Sequence, residues 1–426
     1  MASTTQAADV RVYGWRHPSV IAAAVFSLYA GFAQFTATAT LPDIAEAFGI
    51  DVPGAGASVV AQAGLSFSTL GVALAIIRLA SIAALPIARQ ADWLGRRRVL
   101  LVVTAAALVL TALAAGSPWF WLLVLIFSLA RPLMSATNAV AAVIAAEEVA
   151  TADRSRAMAV ITVGYGIGSG IPVVLRGLTG GDIGFRVILL IAVPLLATLP
   201  LVARLVQEPD RAARLVQGAS ATAKRLGRVP SEMVGRLLLL STLGFFVAFL
   251  TGPVNTFLFL YAEKVAGLSP QQQTIVLPFG AGMGACGLVL GVRMADRFGR
   301  IPTAMWTKFF LAGAGVLTYS AGAWGAAVGY VLTLFIGSSY APAVAATAAE
   351  IFPTSIRATA AGWVTFAGTI GAVAGLVIFG VVADRTGSFV MAALVVSVPT
   401  AISAIGYRWL PETVGMELEQ SAPEIT

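Results

Sequence analysis

The sequence predicts an all-α membrane protein with twelve transmembrane helices in two pseudo-symmetric six-helix bundles. Three observations carry this: an apolar composition, twelve apolar runs of spanning length, and a charged loop motif that recurs halfway along the chain. Of the 426 residues, 58% are hydrophobic and 11% charged, against about 25% charged in a soluble domain. A water-soluble core of this length cannot hide so much apolar surface, so lipid is the solvent for much of it. The formal charge of +7 would suggest nucleic acid in a soluble protein. Here the basic residues sit at helix ends, where membrane topology explains them, and no nucleic-acid partner is expected. Cys286 is the single cysteine, which leaves no internal disulfide and no cysteine-based metal site. No cleavable signal peptide is expected, because the first apolar run is too long for an h-region.

A helix needs about 20 apolar residues to cross the hydrocarbon. The qualifying runs are 18–42, 62–88, 98–116, 119–146, 156–178, 185–206, 236–261, 272–293, 301–322, 325–349, 358–383 and 388–410. Most junctions are short and carry Gly, Pro or charge, as at "GSP" (116–118). The exception is 207–235, a cytoplasmic linker rich in basic and apolar residues, readable as amphipathic helices on the inner face or as a solvated connection. It divides the chain into an N-terminal bundle, 1–206, and a C-terminal bundle with a short tail, 236–426.

With the N-terminus inside, only Arg176, Arg186, Lys264 and Arg385 of the 27 Lys and Arg fall outward, and Arg78 and Arg131 fall within the membrane. The rest, Lys308 counted with the segment between spans 8 and 9, fall inward. That bias places both termini in the cytoplasm.

The two halves repeat. "ADWLGRRRVL" (91–100) follows span 2 and "ADRFGRIPTA" (295–304) follows span 8; "EEVATADR" (147–154) follows span 4 and "EIFPTSIR" (350–357) follows span 10. Charged loops at a near-constant offset mark a duplicated bundle. An Asp at the inner end of one helix can pair with a neighbouring helix N-terminus and with arginines across the seam between halves, in bonds that form and break as the inner side closes and opens. The other reading of these arginines is a set of positive-inside anchors.

Over nearly its whole length the chain resembles the major facilitator superfamily of secondary transporters. The loop signature G-x-L-A-D-R-x-G-R-R stands here as Asp92, Gly95, Arg96 and Arg97, and again as Asp296, Arg297, Gly299 and Arg300. Both copies depart at the first glycine (Ala88, Val292), and Trp93 replaces a basic residue. The Glu-x6-Arg pairs Glu147/Arg154 and Glu350/Arg357, with the tail "PETVGMELE" (411–419), are similar to the sugar porter and metabolite–proton symporter branches. The resemblance implies gating roles for these residues, a monomer in the cytoplasmic membrane, and gradient-driven transport. "GVVADRTG" (380–387) mimics the loop motif but falls outside, related by the repeat to the segment around Arg176.

Two cations then need a reason. Arg78 lies about 21 Å along a helix from Asp92, and Arg131 about 18 and 24 Å from the two ends of its span. A charge at that depth costs about 2.5–3.5 kcal/mol on insertion scales. A buried cation is usually answered by an acid, yet no Asp or Glu falls in mid-span. The expected partner is mobile: a small anionic substrate. Arg131 also opens "RPLMSATNA", which resembles the span 4 pattern R-x-x-x-G tied to proton coupling in antiporters, with Ser135 for the glycine. Arg78 has a second reading, as a structural arginine bonded to helix carbonyls. Further substrate-site candidates are Tyr29, Gln34, Asn138, Asn255, Ser339 and Tyr340, each of which could instead make a helix–helix hydrogen bond. Tyr165 and Trp363 read as packing residues, and the glycines of span 5 (Gly164, Gly166, Gly168, Gly170) as a close-contact face.

The span 5 antiporter signature is not met by "GYGIGSGIPVV" (164–174), and the only histidine, His17, precedes span 1. Proton symport, uniport and anion exchange stay open, with export of hydrophobic compounds or a non-transporting receptor as rivals. No metal constellation, nucleophile–histidine pair or phosphate-binding loop is visible, so neither enzyme activity nor a cofactor is expected.

Overall fold

The computed structural model describes residues 14–49, 65–150, 153–206 and 230–415. Each predicted span is helical. The first six are α1 (Pro18–Ala39), α2 (Phe67–Arg89), α3 (Arg96–Ala114), α4 (Phe120–Glu147), α5 (Arg154–Leu178) and α6 (Phe185–Ala203). The second six are α7 (Ser231–Lys264), α8 (Pro270–Phe298), α9 (Arg300–Ser320), α10 (Gly322–Glu350), α11 (Thr354–Thr386) and α12 (Phe389–Trp409). Eleven of them are long and apolar enough to cross a membrane; α9, with 21 residues, is long enough but more polar. No strand occurs among the described residues.

Residues 207–229 of the linker, and with them the expected amphipathic helices, lie outside the described residues. The end of the predicted linker belongs to α7, which begins at Ser231 and not at 236. Its first turn carries Glu232, an acid that complements the helix dipole, so polar residues extend a helix beyond its apolar run.

The chain packs as two compact units: residues 1–40 with 80–223, and residues 41–79 with 224–426. Residues 41–49 and 65–79, in the first half of the sequence, therefore pack with the second half. The short helix Leu41–Ala47 lies against α7, and the N-terminal part of α2 lies against α11.

Within the first unit α1 and α5 meet backbone to backbone. A Cβ on Gly164 would stand 2.4 Å from the Ala24 carbonyl oxygen, and one on Gly168 only 2.0 Å from that of Leu28. Gly166 and Gly170 face open space, so half of the expected glycine face does the packing. Helical periodicity explains this, because residues two apart point to different sides. Gly168→Ala is expected to destabilise the protein by about 1–3 kcal/mol through overpacking, and Gly170→Ala to raise stability slightly as the better helix former; thermal melting of both variants checks the contrast. The second unit repeats the device: Cβ atoms on Gly371 and Gly375 of α11 would each stand 2.2 Å from α7 carbonyls.

The loop glycines have a conformational reason. Gly95 has φ 92° and Gly299 φ 101°, a region that side chains disfavour. Each ends one helix turn and caps the next, α3 or α9.

Candidate substrate site

Two contacts fix the register of α1 against α4 in the first unit. His17 Nδ1 lies 3.7 Å from Glu148 Oε2. Ten residues further along each helix, in opposite directions, Ser27 Oγ donates to Asn138 Oδ1 at 2.8 Å. A further seven residues, about two turns, bring Gln34 of α1 level with Arg131 of α4. Gln34, Arg131 and Asn138 are all half-buried, and the Tyr165 hydroxyl of α5 donates to Gln34 Oε1 at 3.3 Å. Tyr165, expected to pack, thus joins the candidate site. The group offers a guanidinium, two amides and a phenol on facing helix sides, a donor-rich lining suited to oxygen atoms of a ligand.

Arg78 ends the first helical segment of α2, is exposed, and belongs to the other compact unit. Asn255 of α7 is half-buried, and its Oδ1 is buried with no hydrogen bond. Every Asp and Glu among the described residues lies within about a turn of a helix end, in the short helix Leu41–Ala47, or between helices.

Three candidates are committed elsewhere. Tyr29 is 3% exposed and its hydroxyl shares a 2.8 Å hydrogen bond with Thr198 of α6. Ser339 Oγ donates to the carbonyls of Gly287 and Phe335 at 2.8 Å each, in the α8–α10 packing seam. The Tyr340 hydroxyl meets that of Tyr407 at 2.6 Å, both buried. Each polar group here satisfies a neighbouring helix, the alternative a hydroxyl in an apolar bundle always has.

Ion pairs join the end of α4 to the start of α3 in the first unit and the end of α10 to the start of α9 in the second. Glu147 pairs with Arg96, not with Arg154; Arg154 Nε instead donates to the Ala146 carbonyl at 3.2 Å. The second unit matches it: Glu350 Oε2 lies 2.7 Å from Arg300 Nε, while Arg357 reaches the Phe352 carbonyl at 3.4 Å. The arginine near the start of a helix thus turns back onto the preceding segment, and the glutamate is left for the loop-motif arginine. Arg97 donates to the Ala203 carbonyl at 3.1 Å. Asp296 is exposed and 3.7 Å from Arg300, and Arg297 lies against Phe298. Asp92 carries the motif between α2 and α3.

Sequence reasoning missed two residues of this cluster and one cation. Glu412 caps α9, its carboxylate accepting from the amides of Arg300 at 2.9 Å and Ile301 at 3.0 Å. Thr413 Oγ1 donates to Glu350. The tail resemblance at 411–419 pointed to this stretch without giving its partner. Lys308, counted with a loop, lies inside α9 and is completely buried. Its Nζ donates to the Leu243 carbonyl at 3.0 Å and stands 5.6 Å from the Tyr407 ring centre. The Leu243 carbonyl and the Tyr407 ring are the neighbours of this amine inside the second unit. Its distance from Arg300, eight residues along the helix, was the available signal.

The comparisons agree with this architecture. The solved structure of the inward-open xylose transporter XylE of E. coli superposes with a TM-score of 0.72 at 17% identity, over 94% of this chain and 98% of that one. That of the nucleoside transporter NupG gives 0.72 at 13% identity, over 92% and 99%. The human organic anion transporter MFSD10 gives 0.64 at 17% identity, over 91% and 99%. No curated protein matches the sequence. The sequence does match the family description "Major Facilitator Superfamily" over residues 21–336, and with that match the chain belongs to the major facilitator superfamily of transporters.

Proposed function

We propose that this transporter carries a small anionic metabolite, an organic acid, across the cytoplasmic membrane by alternating access between its two halves, with both termini in the cytoplasm and as a monomer. The observation that supports the reading is Arg131: a half-buried, mid-helix guanidinium level with Gln34. A carboxylate substrate matches the planar fork of a guanidinium, and Gln34, Tyr165 and Asn138 supply or accept the remaining hydrogen bonds. Arg78 and Asn255 are the candidate polar residues of the other unit. Among the similar structures an organic anion transporter gives the reading a precedent on this fold.

Coupling to protons runs through the substrate's own ionisation, because among the described residues no acid stands in mid-span to carry one. The inner clusters around Glu147–Arg96 and Glu350–Arg300 are the parts that rearrange as the inner side opens. Counterflow in proteoliposomes tests the proposal. A panel of small mono- and dicarboxylates, run with and without a proton gradient, is expected to yield at least one saturable substrate, and the matching neutral amide none.

A further inference from the structure

Between α8, α9 and α10 the second unit carries an apolar groove that the proposed transport mechanism leaves unused. Its free volume is about 480 Å³, within the range of roughly 300–1,000 Å³ usual for small-molecule sites. Leu290 and Met294 of α8, Phe310 and Leu317 of α9, and Leu332 and Phe335 of α10 form its walls.

Glycine makes the groove. A Cβ on Gly287 would stand 2.1 Å from the Phe335 carbonyl oxygen and one on Gly291 2.2 Å from that of Ser339, so α8 packs directly on α10. On α9, Gly313 lines the groove with no side chain, and a Cβ there would meet nothing within 4 Å.

The lining decides what can enter. Its two hydroxyls are already committed to helix carbonyls: Thr307 Oγ1 donates to Thr303 at 2.6 Å, and Ser339 Oγ to Gly287 and Phe335 at 2.8 Å each. A polar ligand group buried beside them would lose its hydrogen bonds to water and gain none, so the occupant is a hydrocarbon. Leu290 and Phe310 are exposed, so the groove opens sideways, on the surface that acyl chains cover in a spanning bundle.

Charge stands at one end of it. Arg293 follows Leu290 by three residues and Arg297 follows Met294 by three, each one turn along the same side of α8. Both are exposed in the last two turns of the helix, a depth from which a guanidinium reaches the headgroups. Neither is in an ion pair among the described residues, and Asp296 beside them lies 3.7 Å from Arg300. Trp306 of α9 borders the same end, exposed and stacked on Phe310 with ring centres 6.2 Å apart; indole is favoured at the membrane interface. A hydrocarbon slot with two guanidiniums at its mouth complements a lipid with a negative headgroup.

We propose that this groove seats one acyl chain of an anionic phospholipid whose phosphate lies between Arg293 and Arg297. The lipid fills the gap left by Gly313 and completes the packing of α8, α9 and α10.

Photolabelling of the purified full chain in a neutral detergent tests this. The probe is a phosphatidylglycerol with a diazirine in one acyl chain, and the labelled peptides are mapped by mass spectrometry. Labelling is expected to concentrate on 310–317 and 332–336. Unlabelled phosphatidylglycerol is expected to compete at least about tenfold better than phosphatidylcholine, as two basic contacts to an anionic headgroup imply. Glycerol phosphate, the headgroup without chains, is expected not to compete. Gly313→Leu fills the groove without a clash and is expected to abolish labelling of these two segments. Arg293→Gln combined with Arg297→Gln leaves the groove open and is expected to erase the preference for phosphatidylglycerol. Labelling spread evenly over the spans, equal competition by phosphatidylcholine in the parent, or full labelling of monodisperse Gly313→Leu overturns the proposal.

Discussion

Arg131→Gln is expected to reduce carboxylate counterflow at least about 30-fold, at the low end of the 2–5 kcal/mol lost when one partner of a buried charge pair is removed. Arg131 is half-buried on the side of α4 that carries Asn138, at the level of Gln34. Glutamine keeps hydrogen-bonding capacity and most of the length but removes the charge, so a loss in monodisperse protein reports on charge. Arg131→Lys keeps the charge and loses the fork, and falls between the two. Counterflow of the best carboxylate from the panel is the measurement, with size-exclusion profiles as the control for folding.

Glu350→Gln is expected to lower stability by about 2 kcal/mol, less than the 3–5 kcal/mol of a fully buried pair, because both side chains keep some contact with water. Arg300 loses its close partner at 2.7 Å and retains Asp296 only at 3.7 Å. Thr413 loses a charged acceptor, and with it the tail segment that brings Glu412 onto the amides of α9. One substitution thus loosens the end of α10, the start of α9 and the tail together. The apparent melting temperature is expected to fall by about 4–8 °C for a unit of this size. Glu147→Gln should act similarly in the first unit, where Arg96 is its partner.

Much of the fold was legible because lipid imposes a simple rule: a spanning segment must satisfy its own backbone, so apolar length translates into helices. The repeat then gave the pairing of equivalent loops, and the structure honours it, with Glu147–Arg96 and Glu350–Arg300 in matching places. What stayed hidden depended on which helices are neighbours. Tyr29, Ser339 and Tyr340 looked like cavity residues because each is polar in an apolar run. Their partners, Thr198, the Gly287 carbonyl and Tyr407, are far away in sequence. Lys308 was misread for a different reason: it falls inside the predicted span 301–322 but was counted with the basic residues of the segment before it. The Glu-x6-Arg motif gave the residues but not their bonds: Arg154 and Arg357 fold back on carbonyls.

The most direct measurement is counterflow of a labelled small carboxylate in proteoliposomes, in competition with its uncharged amide, a neutral sugar and a lipophilic cation. The account predicts saturable exchange that other carboxylates inhibit and that the amide, the sugar and the cation leave untouched. Saturable exchange of the sugar or the cation, with every carboxylate inert, would contradict it.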